Sequence, residues 1–483
     1  MRAFRFSVNG CMKVKEAVMQ KQTARAVLDA ALRTGADFAE LYVQSKKSHA
    51  IEINYKRVDN VSTRVVYGAG LRLMRGLRQV YGYTSDLSER ALTALADKLA
   101  ASFDGERALS AGEFAEIKSS DVHAPAKEHA SVSTERKIEY LKRGESAMYA
   151  VSPLVVNARC AIGETDETVE IFTVKAGVCR VVRDRRVHTR VMAIATAGKD
   201  GAFEVGSFSP GLSKGAEFYD ETDFEAGARE AAEDAVALLD APECPSGNMP
   251  VIIGNKFGGV LFHEACGHPL EGTAISHNTS PFAGKIGQKV ASDIVTAIDD
   301  GTIPHGWGSE CFDDEGEPST RNVLIENGVL KSYMTDTFDG RRMNAAPTGA
   351  CRRESYKYLP TTRMTNTYIA SGKSTPEEII KATKYGLYCV GFNGGSVDPT
   401  TDKFNFTSSK TYLVKDGKLA GLVKAASLVG FGYDILPKID MVGNDAECAA
   451  CMCGAASGSL FVAVGQPTLR VAEMTVGGKG ETV

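Results

Sequence analysis

No run of apolar residues in this chain approaches the roughly 20 that a bilayer-spanning helix needs, so helical membrane insertion is not expected. Charge of one sign is equally lacking. The 56 Lys and Arg nearly balance 60 Asp and Glu, and a net charge of −4 gives no electrostatic reason to expect nucleic acid or an anionic membrane as partner. The basic stretch 180–190 alternates with apolar residues and reads as the wet face of a strand rather than a phosphate track. The eleven cysteines are scattered through the chain among apolar neighbours, which excludes a disulfide frame and suits reduced thiols in a cytoplasm. The first residues carry charge but no uninterrupted apolar core of signal-peptide length, and read as a short disordered leader ahead of Met12. Histidine is scarce, with eight in 483 residues, so any two at ligand spacing stand out.

A length of 483 residues exceeds one compact core and implies two or three domains. Hydrophobic residues at 43% and charged residues at 24% are those of a globular protein. Residues 17–34 read as an amphipathic helix stopped by Gly35, followed by short strand-like segments at 38–43, 50–55, 63–66, 70–74 and 79–83 and a helix at 88–102. The order returns: a helix at 134–149, strands between 155 and 208, and a helix at 222–239 with Thr222 as N-cap and Glu225 completing a capping box. The expected fold is therefore α+β. An N-terminal α/β domain, residues 1–240, has antiparallel strands flanked by helices, a pattern consistent with duplication as two halves at about 12–105 and 130–240. His49, His123, His129 and His188 in this region lack partners at ligand spacing and read as structural or exposed. Residues 241–250 hold three prolines and a glycine and read as a linker. Residues 251–483 read as a β-rich domain, with hairpin turns at Asn327-Gly328 and Asp416-Gly417 and one helix at 374–385 capped by Ser374.

That domain opens on the densest chemistry in the chain, GVLFHEACGHPLEG at residues 259–272. His263 and His268 offer two neutral nitrogen ligands, and Glu264 offers a carboxylate, which are the parts of a hydrolytic zinc site. The spacing is one residue longer than H-E-x-x-H. At about 3.6 residues per turn, positions i and i+5 point apart, so the helix must widen or end between them. Gly267 is permissive and Pro269 disfavours helical geometry at His268, so the helix is expected to break at Gly267 and His268 to swing back. Two histidines do not complete a catalytic zinc site, and Cys448, Cys451 and Cys453 are candidates for the third ligand. From composition alone, small cysteines filling an Ala/Gly-rich segment is an equal reading. Cys448-x-x-Cys451 has no second pair with which to form a structural knuckle. Glu271 reads first as a structural carboxylate and second as a group that orients a ligand histidine.

Several blocks in the same order resemble the TldD side of the TldD/PmbA metallopeptidases. They are GVLFHEACGHPLEG, then APTGACRRESYKYLPTTRMTNTYIASGKSTPEEII at 346–380, then Asp440 to Asp445, then Met452-Cys453-Gly454, then VGQPTLRVAEMTVGG at 464–478. The likeness is densest from Gly259 to the end. It implies His263 and His268 as metal ligands, Glu264 as general base and Cys453, the cysteine before the glycine, as third ligand. Where family members often continue C-G-K-x-G-Q, this chain has Ala455-Ala456-Ser457-Gly458, so the neighbouring subsite differs.

What the resemblance implies is a zinc peptidase that hydrolyses short or unfolded peptides within an enclosed dimer cavity. The dimer is either a homodimer or a heterodimer with a PmbA-like partner, and nucleic acid and membrane are not partners. Arg352, Arg353, Tyr356 and Arg363 are candidates to bind substrate or a developing oxyanion, with interdomain ion pairing the alternative for the arginines. The rival class is a non-catalytic peptide-binding or regulatory subunit of a TldD/PmbA-type complex.

Overall fold

The computed structural model describes residues 19–119, 122–398 and 403–482, and the leader expected before Met12 lies outside them. The fold is α+β, with a β-rich C-terminal part. The first half is one twisted sheet. Two hairpins of unusual length, Phe38–Asn54 with Arg57–Arg75 and Val155–Lys175 with Val178–Lys199, lie side by side, joined antiparallel from Phe38 opposite Lys175 to Ile53 opposite Cys160. Arg78–Thr84 extends the sheet at one side and Ala202–Phe208 at the other. Helices Lys21–Ala31 and Glu89–Ala100 cover one half of the sheet, and Thr134–Val151 and Phe224–Leu239 cover the other, each pair over its own apolar core.

The strand segments expected at 38–43 and 50–55 are one 17-residue strand. The polar residues between them do not end it, because Lys46, Lys47 and Ser48 have a strand partner on each side. Two caps also fall elsewhere. Asp223, not Thr222, caps helix Phe224–Leu239 by accepting from the Ala226 N–H, while the Thr222 N–H closes the preceding turn on Phe218 O. The helix expected at 374–385 spans only Pro376–Lys381, and its capping box is formed by Thr375 and Glu378. Both helices begin with adjacent capping-competent residues, and the choice between them depends on the entry angle of the chain. The turns at Asn327-Gly328 and Asp416-Gly417 form with φ of 48° and 79°, and 48° and 72°, as primed hairpins require.

A strand begins at Gly247, inside the stretch read as a linker, and runs to Ile253. It enters a ring. Tyr385–Asp398 pairs with Gly247–Ile253, then follow Leu469–Gly477, Ser427–Phe431 and Lys403–Lys415, which pairs back to Tyr385–Asp398. Val251, Ile253, Leu387, Phe404, Phe406, Leu428 and Val471 from these strands share one core with Val260, Leu261, Phe262, Ala265 and Cys266 of the histidine-bearing segment. A separate sheet places Glu447–Ala455 at its edge, beside Gly458–Gln466.

The N-terminal sheet meets the C-terminal part through buried ions. Arg72, with no exposed surface, holds Glu40 at 2.7 Å and also binds Glu315. Arg186 reaches Asp314 at 2.8 Å, Asp184 at 3.1 Å and Glu310 at 3.3 Å. Removing one partner of such a set leaves charge buried without compensation. Arg72→Met is expected to lower unfolding free energy by about 3–5 kcal/mol, measured by urea denaturation; a change below 1 kcal/mol would contradict a stabilising network.

Candidate metal centre

The segment that carries the histidines does not break. A helical turn, Val260–Phe262, passes into a π-helical turn, His263–Gly267, and then a short 3₁₀ turn, His268–Leu270. His268 has φ −58° and ψ −43°, fully helical. The expected break at Gly267 is therefore replaced by widening: one extra residue in the turn brings position i+5 back over position i. Pro269 tolerates this because its missing N–H falls where the ladder is already being re-registered. Gly267 is needed for another reason. A Cβ there would lie 2.2 Å from Met364 Sδ.

The two rings lie with centroids 5.1 Å apart and nearly perpendicular. Edge strand Glu447–Ala455 delivers Cys453, whose Sγ is 3.2 Å from His268 Nε2. One donor atom from each of His263, His268 and Cys453 lies within 4.8 Å of the others. Cys448 is exposed, and Cys451 lies partly buried against Cys453.

His263 is fully buried, yet neither ring nitrogen has a hydrogen-bond partner among the described residues. An unpaired buried polar atom of this kind costs about 1–3 kcal/mol. Burial, reinforced by His268 and Arg363, holds its pKa well below the ordinary imidazole value, so the ring presents a neutral donor. At His268 burial acts in the same direction, but the Glu271 carboxylate and the Cys453 and Glu271 hydrogen bonds outweigh it and raise the pKa. A proton and a cation are alternatives on its Nε2. Two imidazoles and a thiol, one ring left without a partner, fit a divalent ion of zinc type. Glu264 stands beside this set, with Oε2 3.8 Å from His268 Nε2 and its side chain about a quarter exposed. Burial and then Glu271 raise its pKa, with His268 opposing.

The four other candidates separate. Arg352 is committed to Glu310 at 2.8 Å and Met364 O at 2.7 Å. Arg353 holds Glu40 and Asp314 O and lies over the Tyr42 ring. Tyr356 is buried against the N-terminal sheet, its N–H donating to Gln44 Oε1 and its C=O accepting from Tyr81 OH. Arg353 and Tyr356 tie the C-terminal part to the N-terminal sheet, and Arg352 pairs with Glu310, which also meets Arg186. Arg363 does reach the centre, but its guanidinium donates to Cys453 O at 2.6 Å, Ser457 Oγ at 3.1 Å and Gly458 O at 3.0 Å. Nothing in the sequence spacing signals that grip, which exists only once the hairpin 447–466 is folded.

Comparison with known proteins finds relatives along most of the chain. Residues 39–103 match PmbA/TldA metallopeptidase domain 1, residues 127–239 the central domain and residues 246–478 the C-terminal domain. A protein of Haemophilus influenzae named metalloprotease TldD homolog is 34% identical over 469 residues, covering 95% of this chain and 97% of that one. A zinc metalloprotease TldD homolog of Saccharolobus solfataricus is 28% identical over 48% of this chain and 52% of its own. The crystal structure of TldE from Thermococcus kodakarensis shares the fold with a TM-score of 0.73 at 19% identity, over 91% of this chain and 97% of that one. With full-length likeness of this kind joined to three domain matches in order, the chain belongs to the PmbA/TldD family of metallopeptidases.

Proposed function

We propose that this chain is a zinc-dependent peptidase acting on short or unfolded peptides, with His263, His268 and Cys453 as ligands and Glu264 as general base. The observation that carries the reading is the convergence of a buried, unpartnered imidazole, a second imidazole and a distant thiol on one point. A zinc ion held by these three residues would supply Lewis acidity and lower the pKa of a bound water. Glu264, with its carboxylate 3.8 Å from His268 Nε2, is the group we assign to accept a proton from the attacking water and return it to the leaving amine. Its raised pKa suits a group that must both accept and donate near neutrality. Arg363, whose two terminal nitrogens are engaged by main-chain and serine acceptors, holds the thiol-bearing strand.

Substrate class follows from access. Strand Tyr385–Asp398 packs on the π-turn and pairs with Gly247–Ile253 only at Leu387–Cys389. From Gly391 onward its outer edge pairs with no described strand, and Asn393, Gly395 and Ser396 are exposed. An extended peptide can add to such an edge through main-chain hydrogen bonds, with little regard to sequence. A second subunit, another copy or a PmbA-like chain, closes the cavity and excludes folded substrates. Localisation in the cytoplasm accords with the free cysteines.

Elemental analysis paired with a peptidase assay tests the whole reading, on this chain alone and then with any co-purifying relative. About one zinc per chain and cleavage of unfolded peptides well above that of folded proteins are expected. A metal-free chain that binds peptides without cleaving them would establish the regulatory-subunit reading instead.

A further inference from the structure

Glu271 and Arg363 are the two charged groups buried behind the donor set, at 8% and 1% exposure, and each touches a different arm of it. Glu271 Oε2 lies 3.1 Å from His268 Nδ1, the ring nitrogen remote from Cys453. Arg363 donates to the carbonyl of Cys453 itself and, past the turn, to Ser457 Oγ and Gly458 O, so one guanidinium grips both strands of the hairpin. The two side chains face each other: Arg363 Nε and Glu271 Oε1 are 3.9 Å apart, and neither atom has a hydrogen-bond partner. The next residue, Met364, fills the space left by the missing Cβ of Gly267. The histidine turn and the thiol hairpin are thus joined through a single buried pair.

We infer that Glu271 and Arg363 are a coupled pair of positioning residues that set His268 and Cys453 relative to one another. Glu271 fixes the His268 ring by accepting at Nδ1, which leaves Nε2 aimed at the thiol. Arg363 fixes the thiol by holding its own main chain. This rests on the metal-ligand reading above and adds to it how the two halves of the ligand set are kept in register.

The test uses the full-length chain, with zinc affinity read by chelator competition and cobalt(II) as a spectroscopic replacement for zinc. Folding of each variant is first confirmed by circular dichroism. Glu271→Ala is expected to weaken zinc binding by about 10–100-fold, with Glu271→Gln recovering part of the loss, and both keeping the thiolate-to-cobalt charge-transfer band. Arg363→Lys keeps the charge but cannot hold three acceptors at once, and is expected to weaken both affinity and that band. Combining Glu271→Ala with Arg363→Lys should weaken binding no more than the worse single change, since the two act as one unit. If Arg363→Lys does not fold, Arg363→Gln takes its place in both the single and the double variant, so that the comparison of losses still decides the coupling. Wild-type affinity in the Glu271 variants, or strictly additive losses, would overturn the coupling while leaving the metal reading intact. A wild-type chain that binds neither zinc nor cobalt would overturn both.

Discussion

Glu264→Gln is expected to keep its metal and to lose about 10²–10⁴-fold in peptide hydrolysis, the range removed with a general acid–base group. The argument is geometric. Glu264 directly follows His263 in the turn that leads to His268, and its carboxylate sits 3.8 Å from His268 Nε2 without belonging to the three-donor cluster. It is also the more accessible of the two, with 26% of its side chain exposed against 16% for His268. A glutamine retains size and packing but cannot accept a proton. Zinc content by elemental analysis and turnover on an unfolded peptide, measured on the same preparation, separate the two roles. Undiminished turnover would remove Glu264 from the mechanism, and lost zinc would recast it as a ligand.

Cys453→Ala and His263→Ala are expected to lose metal and activity together. Each removes one of three donors, and three protein ligands are the working number for a catalytic zinc. The two variants differ in what else they disturb. Cys453 is on an edge strand whose backbone is held by Arg363, so alanine leaves the hairpin intact. His263 has no exposed surface, and its loss opens a cavity beside the main core. A modest fall in stability is therefore expected for His263→Ala and not for Cys453→Ala. Cys451→Ala is the control, because Cys451 packs beside Cys453 but stands outside the donor cluster. Full zinc content in Cys453→Ala, or equal loss in Cys451→Ala, would show that the third donor has been misassigned.

The histidines and the intervening glutamate were legible because their chemistry lies within one short segment. The way they meet was not. Gly267 and Pro269 signalled an ending, whereas the chain keeps helical torsions and takes in one more residue per turn. That choice is made by tertiary packing, with Met364 seated on Gly267 and Gly432 against Ala265 O, contacts no local rule contains. Cys453 could be preferred over Cys448 and Cys451 only through resemblance, since nothing in an alternating strand marks one thiol among three. Arg352 and Arg353 look alike in sequence as anion binders, and only the fold reveals Glu310 and Glu40 as their partners. Strand Phe38–Asn54 reads as two fragments because its polar middle is paired on both sides, which makes alternation a poor guide to strand ends.

The strand ring and the ligand set share one temporal consequence. Gly247–Ile253 has neighbours from Tyr385–Asp398 and from Leu469–Gly477, and His268 meets a thiol 185 positions further on. Contacts so distant along the chain form late, after much loop-closure entropy has been lost. During synthesis, the turn bearing both imidazoles leaves the ribosome long before Cys453 has been translated. A nascent or prematurely terminated polypeptide therefore holds the two imidazoles without the thiol, and on the proposed reading the donor set is completed only when the strand bearing Cys453 has been made.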